Sequence, residues 1–196
     1  MPEVMKEFEE TGAILKGHFK LSSGMHSDTY VQCARLLMYP DRAERLCKLL
    51  AAQVRAKLGD TKIDLVVSPA MGGVVIGYEL ARQLGVPQIF CERVDGKFEF
   101  RRGFEVPQGA NILIVEDVVT TAKSSLETVD CITNSGGKVV GEASLIDRSG
   151  GKAEEILPFK LVSLLTINVP IYDPANLPQH LAGTEAVKPG SRFLKS

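Results

Sequence analysis

The sequence predicts an α/β fold, in which a mainly parallel twisted sheet is flanked by helices and preceded by a small N-terminal module. Two observations lead to this prediction. Continuous apolar runs at residues 63–68 and 111–116 are typical of strands that are buried on both faces. These runs alternate with segments whose apolar residues recur at helical spacing, and such alternation favours a parallel sheet.

The predicted elements follow one another along the chain. Helices are predicted at residues 2–11, 41–58, 74–84 and 122–134. Strands are predicted at residues 18–24, 29–33, 63–68, 86–94, 111–116, 138–145 and 161–167. Asp41 is expected to cap the second helix, and Gly85 lies just beyond the end of the third.

The chain is predicted to be one domain with an unusual internal segment. Residues 95–108 carry Lys97, Arg101 and Arg102 between glycines and a proline, and we interpret them as a mobile hairpin or loop. The domain comprises an N-terminal module of about residues 1–40, a core of residues 41–169 and a proline-rich tail of residues 170–196, which is expected to lie over the surface.

The composition argues against several classes of function. The 196 residues include 23 Lys and Arg against 24 Asp and Glu, so no overall positive charge attracts nucleic acid or an anionic membrane. No segment approaches the roughly 18 apolar residues that span a bilayer, and the N-terminus lacks a secretory-signal pattern. The four cysteines form no C-x-x-C pair and are expected to be free thiols, so we predict a cytoplasmic protein.

The strand ends are where chemistry is expected, because ligands of open parallel sheets bind there. Glu116 and Asp117 end the most apolar strand, and two carboxylates can accept hydrogen bonds from the hydroxyls of a ribose. The turn that follows enters a helix N-terminus, whose free N–H groups favour a phosphate. The residues expected to hold this phosphate are Val118, Val119, Thr120, Thr121, Ala122, Lys123 and Ser124. The alternative is an ordinary buried strand followed by a capped helix.

Residues 112–125 resemble the PRPP-binding signature of type I phosphoribosyltransferases: an apolar strand, two acids, two variable residues and two Thr- or Ser-like positions. Three further segments resemble orotate phosphoribosyltransferases in particular. Residues 17–30 resemble their N-terminal hood, residues 68–73 their pyrophosphate loop, and residues 145–148 the strand that ends in an orotate-binding arginine. Residues 186–192 resemble the ending of one bacterial subgroup.

The resemblance implies the type I phosphoribosyltransferase fold and an activity. The phosphoribosyl group of PRPP is transferred to orotate, giving orotidine 5′-monophosphate and pyrophosphate in pyrimidine (UMP) biosynthesis. Mg²⁺ is the implied cofactor, with no ligand assigned directly to the protein, and the implied assembly is a homodimer whose lid loop reaches the neighbouring subunit. The implied catalytic residues are Asp117, Glu116 and Lys97; Arg93, Lys97 and Arg101 join the PRPP site, and Thr120, Arg148 and Tyr30 bind orotate.

Several positions depart from the family pattern and limit what can be carried over. Ser22 stands in place of a phosphate-binding lysine, and Met71-Gly72 in place of a Tyr-Lys pair. Val94 and Glu99 occupy the positions of a cation and a histidine in the mobile loop. We therefore assign no catalytic histidine, and His18 and His26 are expected to be structural or surface residues.

The phosphate loop departs from the pattern as well. Ala122 and Lys123 stand where Gly-Gly or Gly-Lys is common, and Ala122 is expected to keep ordinary backbone angles because alanine disfavours positive φ. Lys123 is left open between a cation near the phosphate and a solvent-facing side chain.

Other interpretations of the same residues stay open. The cations of residues 95–108 are compatible with a solvated surface, and Arg148 with a strand-end salt bridge to Asp147. A purine phosphoribosyltransferase would share the PRPP segment. A PRPP-sensing regulator without catalysis would need a nucleic-acid surface, of which the sequence shows no sign.

Overall fold

A computed structural model describes residues 2–21 and 23–188, which fold around a mostly parallel sheet. The strands are β1 (Ile14–Lys20), β2 (His26–Val31), β3 (Leu65–Pro69), β4 (Gln88–Val94), β5 (Lys97–Phe100), β6 (Asn111–Val119), β7 (Lys138–Asp147) and β8 (Leu161–Thr166). The main sheet has the order β5-β4-β3-β6-β7-β8, and within the described residues its one antiparallel pair is β4–β5. The predicted fold class is confirmed.

The helices are α1 (Pro2–Glu10), α2 (Ala34–Leu37), α3 (Pro40–Leu58), α4 (Gly72–Leu84), α5 (Lys123–Asn134) and α6 (Lys152–Ile156). The expectation that Asp41 caps α3 is wrong, because the helix begins one residue earlier with Pro40 in its first turn. Proline suits that position since its missing N–H would have no acceptor there. Gly85 ends α4 in the left-handed conformation, with φ 75°. Among the described helices, none has both the length and the apolar character needed to cross a membrane.

Two apolar layers hold the helices on opposite faces of the sheet. On one face, Leu113 and Val115 of β6 belong to a core that also includes buried residues of α3 and α4. On the other face, Ile112 and Ile114 pack in a second core with Ile132 of α5. Successive side chains of a strand point to opposite faces, so this run must be apolar at every position to fill both layers.

The strand order creates a crevice between β3 and β6. From β3 the chain leads outward to β4, whereas from β6 it leads the other way to β7 and β8. A crevice at the carboxyl ends of the strands forms where the connections diverge in this way. The segments that follow β3 and β6 therefore border the same opening, which places the predicted pyrophosphate and phosphate loops side by side.

The N-terminal hairpin and the tail form a second, smaller unit above this edge. β1 and β2 pair antiparallel, with a shift in register between Lys16 and Phe19. Tail residues add to both open edges of the hairpin: Val187 pairs with Phe19, and Tyr172 pairs with His26. Described residues of the predicted surface tail are thus bonded to the hairpin.

Some predicted boundaries differ from the structure. The first strand covers Ile14–Lys20 rather than residues 18–24. β6 continues to Val119 rather than ending at Glu116, because Val118 and Val119 still pair with β7. The short helices α2 and α6 were not predicted, since four or five residues are too few to show a helical period.

Candidate active site

The loop between β3 and α4 lies directly against Asp117. It contains a cis peptide bond between Ala70 and Met71. A Cβ atom built on Gly72 would lie 2.6 Å from Oδ1 of Asp117, which is far inside van der Waals contact. Glycine at position 72 therefore permits this close approach, and a Lys at that position would have to displace the Asp117 carboxylate.

The two adjacent acids point to opposite faces of the sheet. Glu116 follows Ile112 and Ile114 in the alternation of β6 and lies on the α5 face. Asp117 lies on the α4 face, below the loop that contains Gly72. The two carboxyl groups therefore border the crevice from opposite faces of the sheet and do not lie side by side.

Asp117 sits in a crowded but partly open environment. Burial raises the pKa of its carboxyl above the usual range, and hydrogen bonds from the backbone amides of Val118 and of Asp117 itself oppose the rise. Its carbonyl oxygen accepts a hydrogen bond from Sγ of Cys33 at 3.7 Å. The thiol just before α2 thus helps to position the backbone of Asp117. The pKa of Cys33 is raised, first by burial and then by the negative charge of Asp117.

Glu116 is buried beside a second acid that sequence reasoning missed. Glu142 of β7 is fully buried and accepts a hydrogen bond from Oγ of Ser125 at 2.8 Å. Burial raises the pKa of Glu142 to about 8. Burial and then the neighbouring Glu142 raise the pKa of Glu116 well above its usual range. A lone acid inside the otherwise apolar strand at residues 138–145 was the available signal, since buried carboxylates are rare.

The phosphate loop has an unusual backbone at its centre. Ala122 lies immediately before α5 with φ 57° and ψ 11°, so the expectation of ordinary backbone angles is wrong. Ala122 is buried in an apolar cluster with Val119, Ala153, Leu157 and Leu161, and this packing helps to hold the left-handed conformation. No side chain caps α5 at this residue, so the first N–H groups of the helix face the crevice without a side-chain acceptor.

The side chains of the loop are open to solvent. Thr120, Thr121 and Lys123 are exposed, and Ser124 is half-buried. Nζ of Lys123 lies 3.9 Å from Oε1 of Glu127, one turn along α5. An anion at this helix N-terminus would meet backbone donors and hydroxyls, as the pattern of residues 118–124 predicts.

Arg148 lies at the end of β7, next to the end of β6. Its backbone N–H donates to the carbonyl of Val119 at 2.8 Å, which places it beside Thr120. Burial lowers the pKa of its guanidinium, and nearby Tyr30 opposes this change. The three residues predicted to bind orotate therefore lie around one corner of the crevice.

The alternative partner of Arg148 is engaged elsewhere. Oδ1 of Asp147 accepts hydrogen bonds from the backbone N–H and the hydroxyl of Ser149 at 2.8 and 2.6 Å, and Oδ2 accepts one from the N–H of Gly151 at 3.0 Å. Within residues 2–21 and 23–188, no carboxylate forms an ion pair with Arg148. The guanidinium is thus partly buried, charged and unpaired.

Within residues 95–108, Lys97–Phe100 form β5, which pairs with β4 as a hairpin, and residues 101–108 form no regular element. Arg93 donates hydrogen bonds to Glu127 of α5 and to the carbonyl of Gly96, and its guanidinium stacks 4.2 Å from the ring centre of Phe98. Arg102 forms two 2.8 Å hydrogen bonds with Glu92. Lys97 and Arg101 are exposed and take part in no ion pair among the described residues.

The remaining predicted positions lie apart from the crevice or outside the described residues. Nε2 of His18 lies 2.6 Å from Nδ1 of His26, and Nδ1 of His18 lies 2.8 Å from the hydroxyl of Thr184, so both histidines help to hold the tail. Ser22 and residues 189–192 of the resembling tail are not among the described residues. All four cysteines are free and buried. In the described part of the chain, no cluster of three His, Cys, Asp or Glu could hold a metal ion.

Comparisons with known proteins agree with this arrangement. The model of the phosphoribosyl transferase domain matches residues 38–171. The structure superposes on a crystal structure of orotate phosphoribosyltransferase from Aeropyrum pernix with a TM-score of 0.68 and 29% identity, covering 83% of this chain and 93% of that one. It also superposes on an adenine phosphoribosyltransferase with a TM-score of 0.67, covering 81% of this chain and 99% of that one, but 18% identity shows only the shared fold.

A closer relative decides between these classes. The orotate phosphoribosyltransferase of Sphingopyxis alaskensis is 53% identical over 193 residues, which cover 98% of this chain and 97% of that protein. The similarity covers nearly the whole of both chains, whereas the adenine phosphoribosyltransferase shares the fold at only 18% identity. The chain therefore belongs to the orotate phosphoribosyltransferase family.

Proposed function

We propose that this protein transfers the phosphoribosyl group of PRPP to orotate, releasing pyrophosphate and forming orotidine 5′-monophosphate for pyrimidine biosynthesis. The reaction is a substitution at the anomeric carbon of the ribose, through a transition state with oxocarbenium character. Catalysis then consists mainly of holding the reactants in place and stabilising charge. The free thiols of the chain further support a cytoplasmic location.

The ribose and its 5′-phosphate are assigned to the segment that follows β6. Asp117 and Glu116 accept hydrogen bonds from ribose hydroxyls and stabilise the positive charge that develops on the sugar. The backbone N–H groups of residues 118–124 bind the 5′-phosphate, aided by the hydroxyls of Thr120, Thr121 and Ser124. The uncapped N-terminus of α5 and the left-handed Ala122 before it support this assignment, because consecutive N–H groups then converge on one anion.

The single observation that carries the choice of orotate is the environment of Arg148. A partly buried guanidinium without a carboxylate partner retains its charge and favours an anion brought by a ligand. The carboxylate of orotate meets this requirement through a bidentate pair, whereas purine bases carry no carboxylate. Thr120 and Tyr30 border the same corner and are assigned to the pyrimidine ring.

Mg²⁺ is assigned to the substrate rather than to a protein site. A hard cation prefers oxygen ligands, and the phosphate and hydroxyl oxygens of PRPP would supply them. When bound, the cation neutralises charge on the leaving pyrophosphate. Lys97, Arg93 and Arg101 supply further positive charge from the β4–β5 hairpin, which acts as a lid that excludes water.

We also propose that the protein is a homodimer in which each lid serves the partner's crevice. Val75 and Tyr78 of α4 and Met71 just before the helix follow one another at helical spacing and are 51%, 67% and 79% exposed. Met38 and Tyr39, at the end of α2, are exposed as well. An apolar face of this kind beside the pyrophosphate loop favours contact with a second copy of the chain.

The first experiment is a steady-state assay with orotate, PRPP and Mg²⁺, followed by the loss of orotate absorbance. Turnover is expected to require all three, and adenine, hypoxanthine or xanthine is expected not to replace orotate. The Asp117→Asn variant should lose about 2–4 kcal/mol of transition-state stabilisation, because a neutral amide stabilises the developing charge less well.

A matched variant separates chemistry from folding. Asp64→Asn changes an aspartate that ends no ligand-binding strand and should leave kcat unchanged. An Asp117→Asn protein with the kcat of the parent would contradict the assignment of this carboxylate. Turnover with a purine in place of orotate would contradict the role of Arg148.

A further inference from the structure

A buried chain of three polar side chains connects the phosphate loop to the interior of the sheet. Glu116 of β6 and Glu142 of β7 lie on the face covered by α5, and Ser125 at the start of α5 is buried against that face and bonded to Glu142. Oγ of Ser125 donates to Oε1 of Glu142 at 2.8 Å. The same hydroxyl opposes the rise in the pKa of Glu116. The exposed fractions of Glu116, Ser125 and Glu142 are 8%, 1% and 0%.

Glu116 and Glu142 each have a carboxyl oxygen without a hydrogen-bond partner. Oε1 of Glu116 and Oε2 of Glu142 are buried and accept no hydrogen bond from any described residue. A buried carboxylate in that position is costly, and two of them side by side are more so. The pair therefore holds at least one proton at neutral pH, in line with the raised pKa of both groups.

The Ser125 hydroxyl can donate its hydrogen bond either to Glu142 or to Glu116. In one arrangement, protonated Glu116 donates to Oγ of Ser125, and Ser125 donates to ionised Glu142. In the other, protonated Glu142 donates to Oγ, and Ser125 donates to ionised Glu116. Both arrangements contain the same number of protons and hydrogen bonds, but only the second places the negative charge on the residue that borders the ribose site.

We propose that Glu142 is a positioning residue of the PRPP site, which by carrying the shared proton allows Glu116 to be ionised and held by Ser125 when PRPP binds. This inference rests on the proposed contact between Glu116 and the ribose. Glu142 touches no substrate and acts through Ser125 and Glu116. Loss of its proton places a second negative charge beside Glu116 and turns the Ser125 hydroxyl away from it.

The other charged groups near the pair strengthen this dependence on protonation. Asp117 and Glu127 are the further charges that act on Glu116, and both are negative. On Glu142 itself, burial and the hydrogen bond from Ser125 are the influences that matter. No cation among the described residues neutralises the pair, so its charge is controlled by the proton alone.

The test is the pH dependence of KM for PRPP between pH 6.5 and about 9.5. In the parent protein, KM is expected to rise about fivefold or more above the pH at which Glu142 ionises. Glu142→Gln keeps a neutral donor of the same shape, so its KM should match the parent near pH 7 and stay within about twofold at high pH. Glu142→Leu, which cannot bond Ser125, should raise KM at every pH.

Ser144→Ala is the matched control, since Ser144 is a buried polar residue two positions along the same face of β7 that bonds Ser163 instead. Its pH profile should equal that of the parent. Ionisation of the substrates affects all the proteins alike, so the difference between Glu142→Gln and the parent isolates the protein group. A purely structural role for Glu142 would leave the alkaline rise in Glu142→Gln unchanged, and this result would overturn the proposal.

Glu116→Gln separates this inference from the contact on which it rests. If KM for PRPP in Glu116→Gln equals that of the parent, the contact between Glu116 and the ribose is wrong, and the role of Glu142 falls with it. If Glu116→Gln raises KM and removes the alkaline rise while Glu142→Gln retains that rise, the contact stands and the inference alone is overturned. Thermal unfolding of each variant confirms that the comparison is made on folded protein.

Discussion

Ala122 shows how local packing sets the shape of the phosphate loop. A left-handed conformation costs an L-residue roughly 1–2 kcal/mol, which glycine avoids. Burial of the methyl group in the cluster that contains Val119 and Leu157 stabilises the folded state by about 0.8 kcal/mol. Burial of the methyl group therefore offsets roughly half of the conformational cost, which helps to explain how alanine serves at a position where the family often has glycine.

The first prediction follows from this balance. Ala122→Gly relieves the backbone strain but loses the methyl contact, so the free energy of unfolding should change by less than about 1 kcal/mol. Ala122→Val adds a β-branched side chain at positive φ and should lower the free energy of unfolding by more than about 2 kcal/mol. Urea denaturation measures both values, and a valine variant as stable as the parent would rule out the left-handed conformation.

The β4–β5 hairpin is the element that we propose to act as the lid of the crevice. It continues the main sheet, and its Arg93 is bonded to Glu127 of α5. If Arg93 is to bind PRPP, it must leave Glu127. The ion pair therefore competes with PRPP for Arg93. Breaking an exposed pair of this kind costs about 0.2–1 kcal/mol of binding free energy.

Removal of this competitor should favour the ligand. Glu127→Gln is expected to lower KM for PRPP by about 1.5- to 5-fold at low salt, with a smaller effect at high salt because screening already weakens the pair. Glu44→Gln, which breaks an ion pair of Arg82 on α4, is the matched control. A raised KM in Glu127→Gln would instead mean that the pair holds the hairpin in its binding position.

The elements also show what the sequence could and could not predict. The strands that end at the crevice and the helices α3, α4 and α5 were predicted because their apolar periods are long. The true end of β6 was not, since the backbone pairing that extends it to Val119 leaves no mark in side-chain pattern. Two tertiary contacts were not predicted either, because each joins elements that are far apart in sequence. They are the contact of Gly72 with Asp117 and the placement of Glu142 beside Glu116.

At the scale of the whole molecule, the exposed face of α4 is the feature that a single chain leaves unexplained. Tyr78 is 67% exposed, although large apolar side chains on a helix usually face the core. Tyr78→Glu should convert a dimer into a monomer in sedimentation velocity and abolish turnover. Ile156→Glu, at a side chain of α6 that is 54% exposed, should do neither.

A mixing experiment tests whether the lid is shared. Lys97→Ala and Asp117→Asn should each be nearly inactive alone, because one lacks a lid cation and the other a ribose-binding carboxylate. When the two are mixed and allowed to exchange subunits, half of the dimers carry one intact site, so about a quarter of the parent activity should return. No recovery in exchanged dimers would place the lid over the crevice of its own subunit.

The opposite orientations of Glu116 and Asp117 have a consequence for how the family can diverge. Substitutions that adjust Glu116 must fall in β7 and α5, whereas those that adjust Asp117 must fall in α2, α4 and the loop before α4. Glu116 and Asp117 are adjacent in sequence, yet each is constrained by its own separate set of contacting residues. Co-varying positions among relatives should divide into these two groups, with little exchange between them.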